Sequence, residues 1–203
     1  MIINKSMIGS RFGGCSFDNF DILSESHDTA REACLELLEG RIEGVVLTGP
    51  PGHGKTHLMV ALAEAFNVEA SLTIGVDQSH VIVESMGNRI AFWPFKELAS
   101  CLREEVKKDG LYEVVINECK TCDLLIIDDL GSERATEFIT MAIEEIFDYR
   151  YRNNKPLAVT SNLKLLTIRD VFGPRLVSRL AETCTVVAIN AGSDYRVNGG
   201  RED

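Results

Sequence analysis

A glycine-rich run in the first third of the chain has the composition of a phosphate-binding loop. Residues 49–56 read GPPGHGKT and fit the pattern G-x-x-x-x-G-K-[ST] at every fixed position. In this pattern, glycines let backbone N–H groups turn toward phosphate oxygens, the lysine reaches the β- and γ-phosphates, and the final hydroxyl ligates Mg²⁺. A Gly/Pro turn that matches by chance is the alternative. The motif predicts ATP and Mg²⁺ as cofactors, bound by Gly49, Pro50, Pro51, Gly52, His53, Gly54, Lys55 and Thr56.

Two adjacent acids form the second chemical group. Asp128 and Asp129 follow the apolar run LLII at 124–127. In P-loop ATPases the first acid belongs to the Mg²⁺ shell, and the second polarises the attacking water. Two carboxylates at the end of a buried strand are costly unless a cation or solvent compensates them, so a solvated strand end is the alternative. Asp129 is one methylene shorter than Glu, which favours slow hydrolysis.

Three polar residues nearer the carboxyl terminus complete the candidate set. Asn162 ends the run VTSN and is expected to position the attacking water, although Asn also commonly forms turns at strand ends. Arg175 and Arg179 are one helical turn apart. An arginine from a neighbouring subunit can neutralise the charge of a transferring phosphoryl group. The alternative is a solvated helix face that pairs with some of the 31 acidic residues.

Apolar runs and helical spacing indicate which elements position these residues. Buried strands are predicted at 45–48, 124–127, 156–160 and 185–189, and strand with loop at 69–84. Helices are predicted at 28–38, 57–66, 95–107, 135–151, 165–171 and 175–181. Strands that alternate with helices predict a parallel sheet covered on both faces, with ligands beyond the carboxyl ends of its strands. The motifs above follow those ends.

Composition limits the classes of partner. The 203 residues suit one α/β domain, and 45% hydrophobic with 26% charged residues is ordinary for a globular protein. A net charge of −10 lacks the basic balance of proteins that bind free DNA, so nucleic-acid contact would be local or made by an oligomer. The segment 68–90 contains one lysine or arginine, Arg89.

The cysteines and the amino terminus bear on location. Cys119 and Cys122 form the one Cys-x-x-Cys motif, without the second pair that a four-ligand zinc site needs, and reduced structural thiols are expected. The first residues lack the apolar core of a signal peptide, and no run has the length of a membrane span. We therefore expect a cytoplasmic protein that makes no membrane contact.

Together these segments resemble the DnaC/DnaI-type helicase loaders of bacteria and phages, a branch of the AAA+ ATPases close to the IstB transposition ATPases. The resemblance runs from about Arg11 to Arg196. It is carried by SFDNF at 16–20, GKTHL at 54–58, FWP at 92–94, IDDLG at 127–131, TSN at 160–162, the pair Arg175 and Arg179, and DYR at 194–196.

The resemblance implies a fold and further site residues. The expected fold is the α/β P-loop NTPase core of AAA+ proteins, with a parallel five-stranded sheet flanked by helices and no evident C-terminal lid domain. Residues 16–203 would form this one domain after an N-terminal arm at 1–15. Phe20 near the adenine, His57 and Arg196 join the nucleotide-binding set. Arg179 is the first choice for the arginine that acts on a neighbouring subunit, and Arg175 is the second.

The implied function is ATP-dependent loading of a hexameric replicative helicase during DNA replication. Subunits would self-associate with a shared ATP site, and single-stranded DNA would be reached through the oligomer. Loaders of this family commonly carry an N-terminal helicase-binding domain, whereas about fifteen residues precede the match here. Two alternatives stay open, an IstB-like ATPase that assists a transposase and a nucleotide-binding helicase regulator without turnover. A P-loop kinase agrees less well with the paired acids.

Overall fold

Short strands alternate with helices along the chain. The computed structural model describes residues 12–66, 89–105 and 111–190. The helices are α1 (Glu25–Leu38), α2 (Lys55–Phe66), α3 (Phe95–Glu105), α4 (Leu111–Thr121), α5 (Glu137–Arg152), α6 (Leu165–Phe172) and α7 (Pro174–Thr183). The strands are β1 (Gly44–Thr48), β2 (Ile90–Pro94), β3 (Leu124–Asp128), β4 (Leu157–Ser161) and β5 (Cys184–Ala188). In these ranges no helix has the length and apolar content needed to cross a bilayer.

The five strands form one sheet in the order β2-β3-β4-β1-β5, and every pairing is parallel. All five residues of β1, β3 and β4 are buried, as expected for strands covered on both faces. One apolar cluster joins the sheet to α1 and α2, and the other joins it to α3 through α7. The predicted parallel, five-stranded α/β architecture is confirmed.

The register of the central strands brings their carboxyl ends together. Thr48 at the end of β1 pairs with Ser161 at the end of β4, and Ile127 of β3 pairs with Val159 of β4. Because all three strands run in the same direction, the chain leaves each of them at the same edge of the sheet. The glycine-rich loop, the two acids and Asn162 therefore lie at one edge, as ligand sites in such sheets do.

Two elements have no clear signal in the sequence. β2 runs directly into α3 at Phe95, so Pro94, the last residue of this short apolar strand, is the one residue that marks its end. In α4, Val114 is exposed beside the buried Val115 and Ile116, which obscures the helical spacing of apolar residues. The strand predicted within 69–84 lies outside the described residues. Helix α2 begins at Lys55, two residues before its predicted start.

The cysteines support packing rather than redox chemistry. All six carry thiols rather than disulfides, and Cys119 and Cys122 are buried. Burial raises the pKa of both thiols, which keeps them in the protonated, poorly nucleophilic form at neutral pH. The expectation of reduced structural thiols agrees with this burial.

A buried arginine ties three elements together. Arg150 of α5 is 1% exposed. Its Nη1 donates to the carbonyl oxygens of Cys119 at 2.8 Å and Cys122 at 3.1 Å, near the end of α4. Its Nη2 donates to the carbonyl oxygen of Pro156, immediately before β4. The guanidinium therefore satisfies carbonyl groups near the end of a helix. It is also a second donor to the carbonyl of Pro156, which accepts from the N–H of Leu125 at 3.2 Å.

Replacing Arg150 by lysine should destabilise the fold. Lysine cannot span the same carbonyls with one planar fork, so Arg150→Lys should lower the free energy of unfolding by about 2–4 kcal/mol. The measurement is urea unfolding followed by the fluorescence of Trp93, the chain's single tryptophan, which is buried. The matched control is Arg152→Lys, because Arg152 is exposed on the same helix. Equal unfolding midpoints for the two variants would contradict this role.

Candidate nucleotide-binding site

The glycine-rich loop connects β1 to α2 in a backbone shape that excludes side chains at two positions. Gly49 has a φ of +145°, and a Cβ there would lie 2.3 Å from the carbonyl oxygen of Ile189. Gly54 has a φ of +75°, and a Cβ there would lie 2.6 Å from the ring of Phe20. Both positions thus require glycine. The loop ends at the amino terminus of α2, where backbone N–H groups and the helix dipole favour an anion.

Lys55 places a positive charge inside this loop. The residue is 5% exposed, and its Nζ donates to the carbonyl oxygens of Gly49 at 2.8 Å and Pro50 at 2.7 Å. The ring of His53 braces the same turn, since its Nδ1 donates to the carbonyl oxygen of Pro51 at 2.9 Å. The predicted phosphate-binding residues therefore form one compact cradle with the lysine ammonium at its rim.

The two predicted Mg²⁺ ligands are in direct contact. The hydroxyl of Thr56 donates to Asp128 Oδ2 at 2.9 Å, and the hydroxyl of Thr160 donates to Asp128 Oδ1 at 2.6 Å. Burial raises the pKa of Asp128, and the negative charge of Asp129 adds to the rise. The two hydroxyl bonds and the charge of Lys55 oppose it. A buried carboxylate in this position is favourable for binding a cation.

The donor set suits magnesium. Mg²⁺ keeps several water ligands and is commonly held by one or two carboxylates together with substrate phosphates. A carboxylate from Asp128 and a hydroxyl from Thr56, beside a phosphate cradle, match that preference. Within the described part of the chain, no group of three or more His, Cys, Asp or Glu side chains could hold a metal ion. A cation at this site would therefore need ligands from phosphate and water.

Asp129 lies beyond the strand in an unusual backbone conformation. Its φ is +59°, a left-handed value that is uncommon for residues other than glycine. This turn directs the carboxylate toward Asn162, whose Nδ2 donates to Asp129 Oδ1 at 2.8 Å. The structure therefore brings the predicted base and the predicted water-positioning residue into one hydrogen bond.

The amino-terminal segment forms a second wall of the site. Phe20 packs edge to face with His57, with ring centroids 5.3 Å apart, and His57 Nε2 donates to the carbonyl oxygen of Ser16 at 2.9 Å. A cleft opens between this segment and the loop, lined in part by Leu23, His27 and His53. Its position beside the cradle is compatible with the base of a nucleotide, and the assignment of Phe20 and His57 to that base stays a prediction.

Two residues near the site have no role of their own in the sequence patterns, although Thr160 belongs to the run TSN at 160–162. His27 is buried beside Phe20, and its Nδ1 is 2.9 Å from Ser24 Oγ. Burial, with a contribution from His53, lowers the pKa of His27. Thr160 is fully buried and contacts both acids, yet it stands in a strand as an ordinary β-branched residue. A polar residue within a buried parallel strand was the one available signal.

The arginine pair has a different environment. Arg175 Nη2 lies 3.3 Å from Asp148 Oδ2 on α5, and Arg179 also pairs with Asp148. The guanidinium of Arg179 stacks over the ring of Tyr151 at 5.2 Å. The side chain of Arg175 is 70% exposed and that of Arg179 is 17% exposed. These ion pairs join both arginines to α5 of their own chain rather than to the phosphate cradle, and Arg196 lies outside the described residues.

Comparison with known sequences places this site among ATP-binding proteins. The model of a family described as "IstB-like ATP binding protein" matches residues 25–202. The replicative helicase loader DnaC of Escherichia coli (strain K12) is 22% identical over 181 residues, which cover 87% of this chain and 67% of the relative. The phage-like element PBSX protein XkdC of Bacillus subtilis (strain 168) is 28% identical over 171 residues, covering 80% and 56%.

Solved structures show the same fold. The crystal structure of the DnaC helicase loader matches with a TM-score of 0.73 and 23% identity, over 90% of this chain and all of that one. DnaI matches with a TM-score of 0.69 and 20% identity, over 90% and 94%. Replication initiator DnaA bound to AMPPCP and single-stranded DNA matches with a TM-score of 0.73 and 24% identity, over 91% and 52%. These matches confirm the predicted fold, a parallel five-stranded sheet flanked by helices.

Asp128→Asn should stabilise the protein in the absence of metal. A buried carboxyl group with a raised pKa favours the folded state most when it is protonated, and this stability is lost as the pH rises through the folded-state pKa. Asparagine keeps the acceptor for Thr160 without the charge. At about pH 7 the variant should therefore melt a few degrees higher than the native protein, and the gap should shrink toward about pH 4.

Thermal unfolding without Mg²⁺, followed over this pH range, shows whether Asp128→Asn melts at a higher temperature than the native protein. Adding Mg²⁺ with nucleotide should then raise the melting temperature of the native protein and leave that of Asp128→Asn nearly unchanged, because the variant lacks the anionic ligand. A variant that is less stable than the native protein at neutral pH without metal would contradict the cost assigned to this carboxylate.

Proposed function

Because the chain belongs to the IstB-like ATP-binding protein family, we propose that it is an ATP-dependent loader of a hexameric replicative helicase in DNA replication. Binding and hydrolysis of ATP would control the assembly of its subunits and their engagement of the helicase and single-stranded DNA. The observation that carries the ATPase part is the contact of Thr56 with Asp128, next to the hydrogen bond between Asp129 and Asn162. The likeness to DnaC over two thirds of that relative supports the loader part.

The cradle binds and orients the triphosphate. Backbone N–H groups of the loop surround the phosphate oxygens, and Lys55 neutralises the charge on the β- and γ-phosphates. Thr56 and Asp128 would hold Mg²⁺, which supplies charge stabilisation at the transferring phosphoryl group when bound. Phe20 and His57 line the cleft that would receive the adenine base. ATP is thereby fixed at both ends, with its terminal phosphate directed to the edge of the sheet.

Asp129 serves as the general base. Asn162 holds Oδ1 of its carboxylate, so we assign to Oδ2 the proton taken from the attacking water. The bond to Asn162 also fixes the plane of the carboxylate, which a short aspartate side chain needs if it is to reach the water. Such a base supports the slow turnover of an ATP-controlled assembly switch.

An arginine of a neighbouring subunit completes the site. Arg175 is the better placed of the pair because most of its side chain is exposed, whereas Arg179 lies between Asp148 and Tyr151. We therefore assign the transferring-phosphate contact to Arg175 and the positioning of α7 to Arg179. This reverses the order that the family resemblance implied.

A second candidate is the alternative that the family resemblance leaves open, an IstB-like ATPase that assists a transposase. The catalytic geometry is the same in both cases, so the partner distinguishes them. Direct contact with free DNA is disfavoured by the net charge of −10, and single-stranded DNA would be bound by assembled subunits.

Co-elution with the replicative helicase of the source organism tests the loader. With ATP and Mg²⁺, the native chain should elute from a sizing column with the helicase hexamer. Asp129→Asn should bind ATP, lose turnover by at least about a hundredfold, and stay on the helicase. Lys55→Ala should neither bind ATP nor co-elute. Absence of native co-elution under every nucleotide condition would contradict helicase loading, and co-elution with a transposase instead would favour the second candidate.

Mixing two inactive variants tests the shared site. Arg175→Ala keeps its own cradle, whereas Lys55→Ala keeps the arginine, and each alone should lose at least about a thousandfold in turnover. In an equimolar mixture, about a quarter of the interfaces pair an intact cradle with an intact arginine, so turnover should recover to that fraction. Arg179→Ala is the comparison variant. It should lower the melting temperature, because Arg179 is assigned the positioning of α7. A mixture no more active than its components would contradict the shared site.

A further inference from the structure

One buried hydroxyl lies between the two acids of the site. Thr160 is the fourth residue of β4, and its side chain is fully buried. Its Oγ1 donates to Asp128 Oδ1 at 2.6 Å and accepts from the backbone N–H of Asp129 at 2.8 Å. The metal-binding acid and the base are therefore joined through a single oxygen atom.

The direction of these bonds is fixed by their chemistry. A hydroxyl has one hydrogen to donate, and a carboxylate can only accept, so the hydrogen of Thr160 points to Asp128. The N–H of Asp129 can only donate, so it takes a lone pair of the same oxygen. Linked bonds of this kind polarise one another. Loss of the shared hydroxyl would leave the N–H of Asp129 without this acceptor and would leave Asp128 Oδ1 with only the longer bond from Thr56, at 3.2 Å.

Thr160 also holds the turn that carries the base. The backbone N–H of Leu130 donates to the carbonyl oxygen of Thr160 at 2.8 Å. Two successive amides after β3, those of Asp129 and Leu130, are thus bound to this one residue. Between them lies the left-handed backbone of Asp129, a conformation that persists only where its surroundings enforce it.

We propose that Thr160 is a positioning residue that couples the metal-binding acid Asp128 to the base Asp129. The inference rests on the proposed function of this site. A cation at Asp128 fixes that carboxylate, the hydroxyl of Thr160 follows its Oδ1, and the amide of Asp129 follows the hydroxyl. The carboxylate of Asp129 is then held in its working orientation when a cation is bound at Asp128. It is less constrained when no cation is bound there.

A hydroxyl with a purely structural role would behave differently. Its removal would lower stability without changing how the site responds to Mg²⁺. The chain contains a neighbour of that kind in Ser161, which is also fully buried, donates to the carbonyl oxygen of Leu130 at 2.6 Å and accepts from the N–H of Leu163 at 3.1 Å. Ser161 bonds to the same turn but to neither acid, which makes Ser161→Ala a matched control.

The experiment titrates Mg²⁺ against binding of a fluorescent, non-hydrolysable ATP analogue. Thr160→Val keeps the shape of the side chain and removes the hydroxyl, and it should need at least about tenfold more Mg²⁺ for half-maximal binding. At saturating Mg²⁺ its affinity for the analogue should stay within about threefold of the native value, since Lys55 and the loop are intact. Thr160→Ser restores both bonds and should need close to the native Mg²⁺ concentration. Ser161→Ala should melt at a lower temperature with an unchanged Mg²⁺ midpoint.

A native Mg²⁺ midpoint in folded Thr160→Val would overturn the coupling, and so would an equal shift in Ser161→Ala. Trp93 fluorescence shows whether each variant is folded. A second measurement uses native protein: hydrogen exchange at the Asp129 amide should slow when Mg²⁺ is added to the bound analogue, and an unchanged rate would also overturn the proposal. Lack of analogue binding by the native chain would instead refute the proposed function itself, so the two failures are distinguishable.

Discussion

The site depends on keeping one carboxylate charged while it is buried. Asp128 is 7% exposed, and withdrawal from water raises its pKa. Such a group is tolerated only with hydrogen-bond donors and positive charge nearby. Thr56 from α2 and Thr160 from β4 supply the donors, and Lys55 supplies charge. The start of α2 and the strand β4 must therefore meet at the end of β3, and the sheet satisfies that requirement.

Parallel pairing makes this convergence possible because each strand brings its carboxyl end to the same edge of the sheet. β1 lies between β4 and β5, and its carboxyl end leads directly into the phosphate loop. β3 ends at the acids and β4 ends beside Asn162, so each chemical role comes from a different strand. Because these strands are buried on both faces, strand register sets the positions of Asp128 and Thr160 and of the points from which the loop, Asp129 and Asn162 depart.

Sequence patterns predicted the parts of the site that have fixed spacing. The loop at 49–56, the acids at Asp128 and Asp129, and Asn162 were found from local order alone, and the strands around them follow from apolar runs. Thr160 was missed because its role arises from residues 31 and 32 positions away, which no local pattern records. The partnership of Arg175 with Asp148 is equally long-range, at 27 positions. β2 is short and continues directly into a helix after Pro94, and α4 lacks a regular spacing of apolar residues.

The contact between Phe20 and Gly54 has a consequence for whatever lies upstream. The stretch from Ser16 to Phe20 is fastened by His57 to Ser16, by Arg31 Nε to the carbonyl oxygen of Phe17 at 3.3 Å, and by the Phe20 ring against the loop backbone. Any displacement of the loop would therefore be transmitted to this stretch. The chain that precedes Phe12 joins the domain beside the glycine-rich loop, so the two are linked without a path through the sheet.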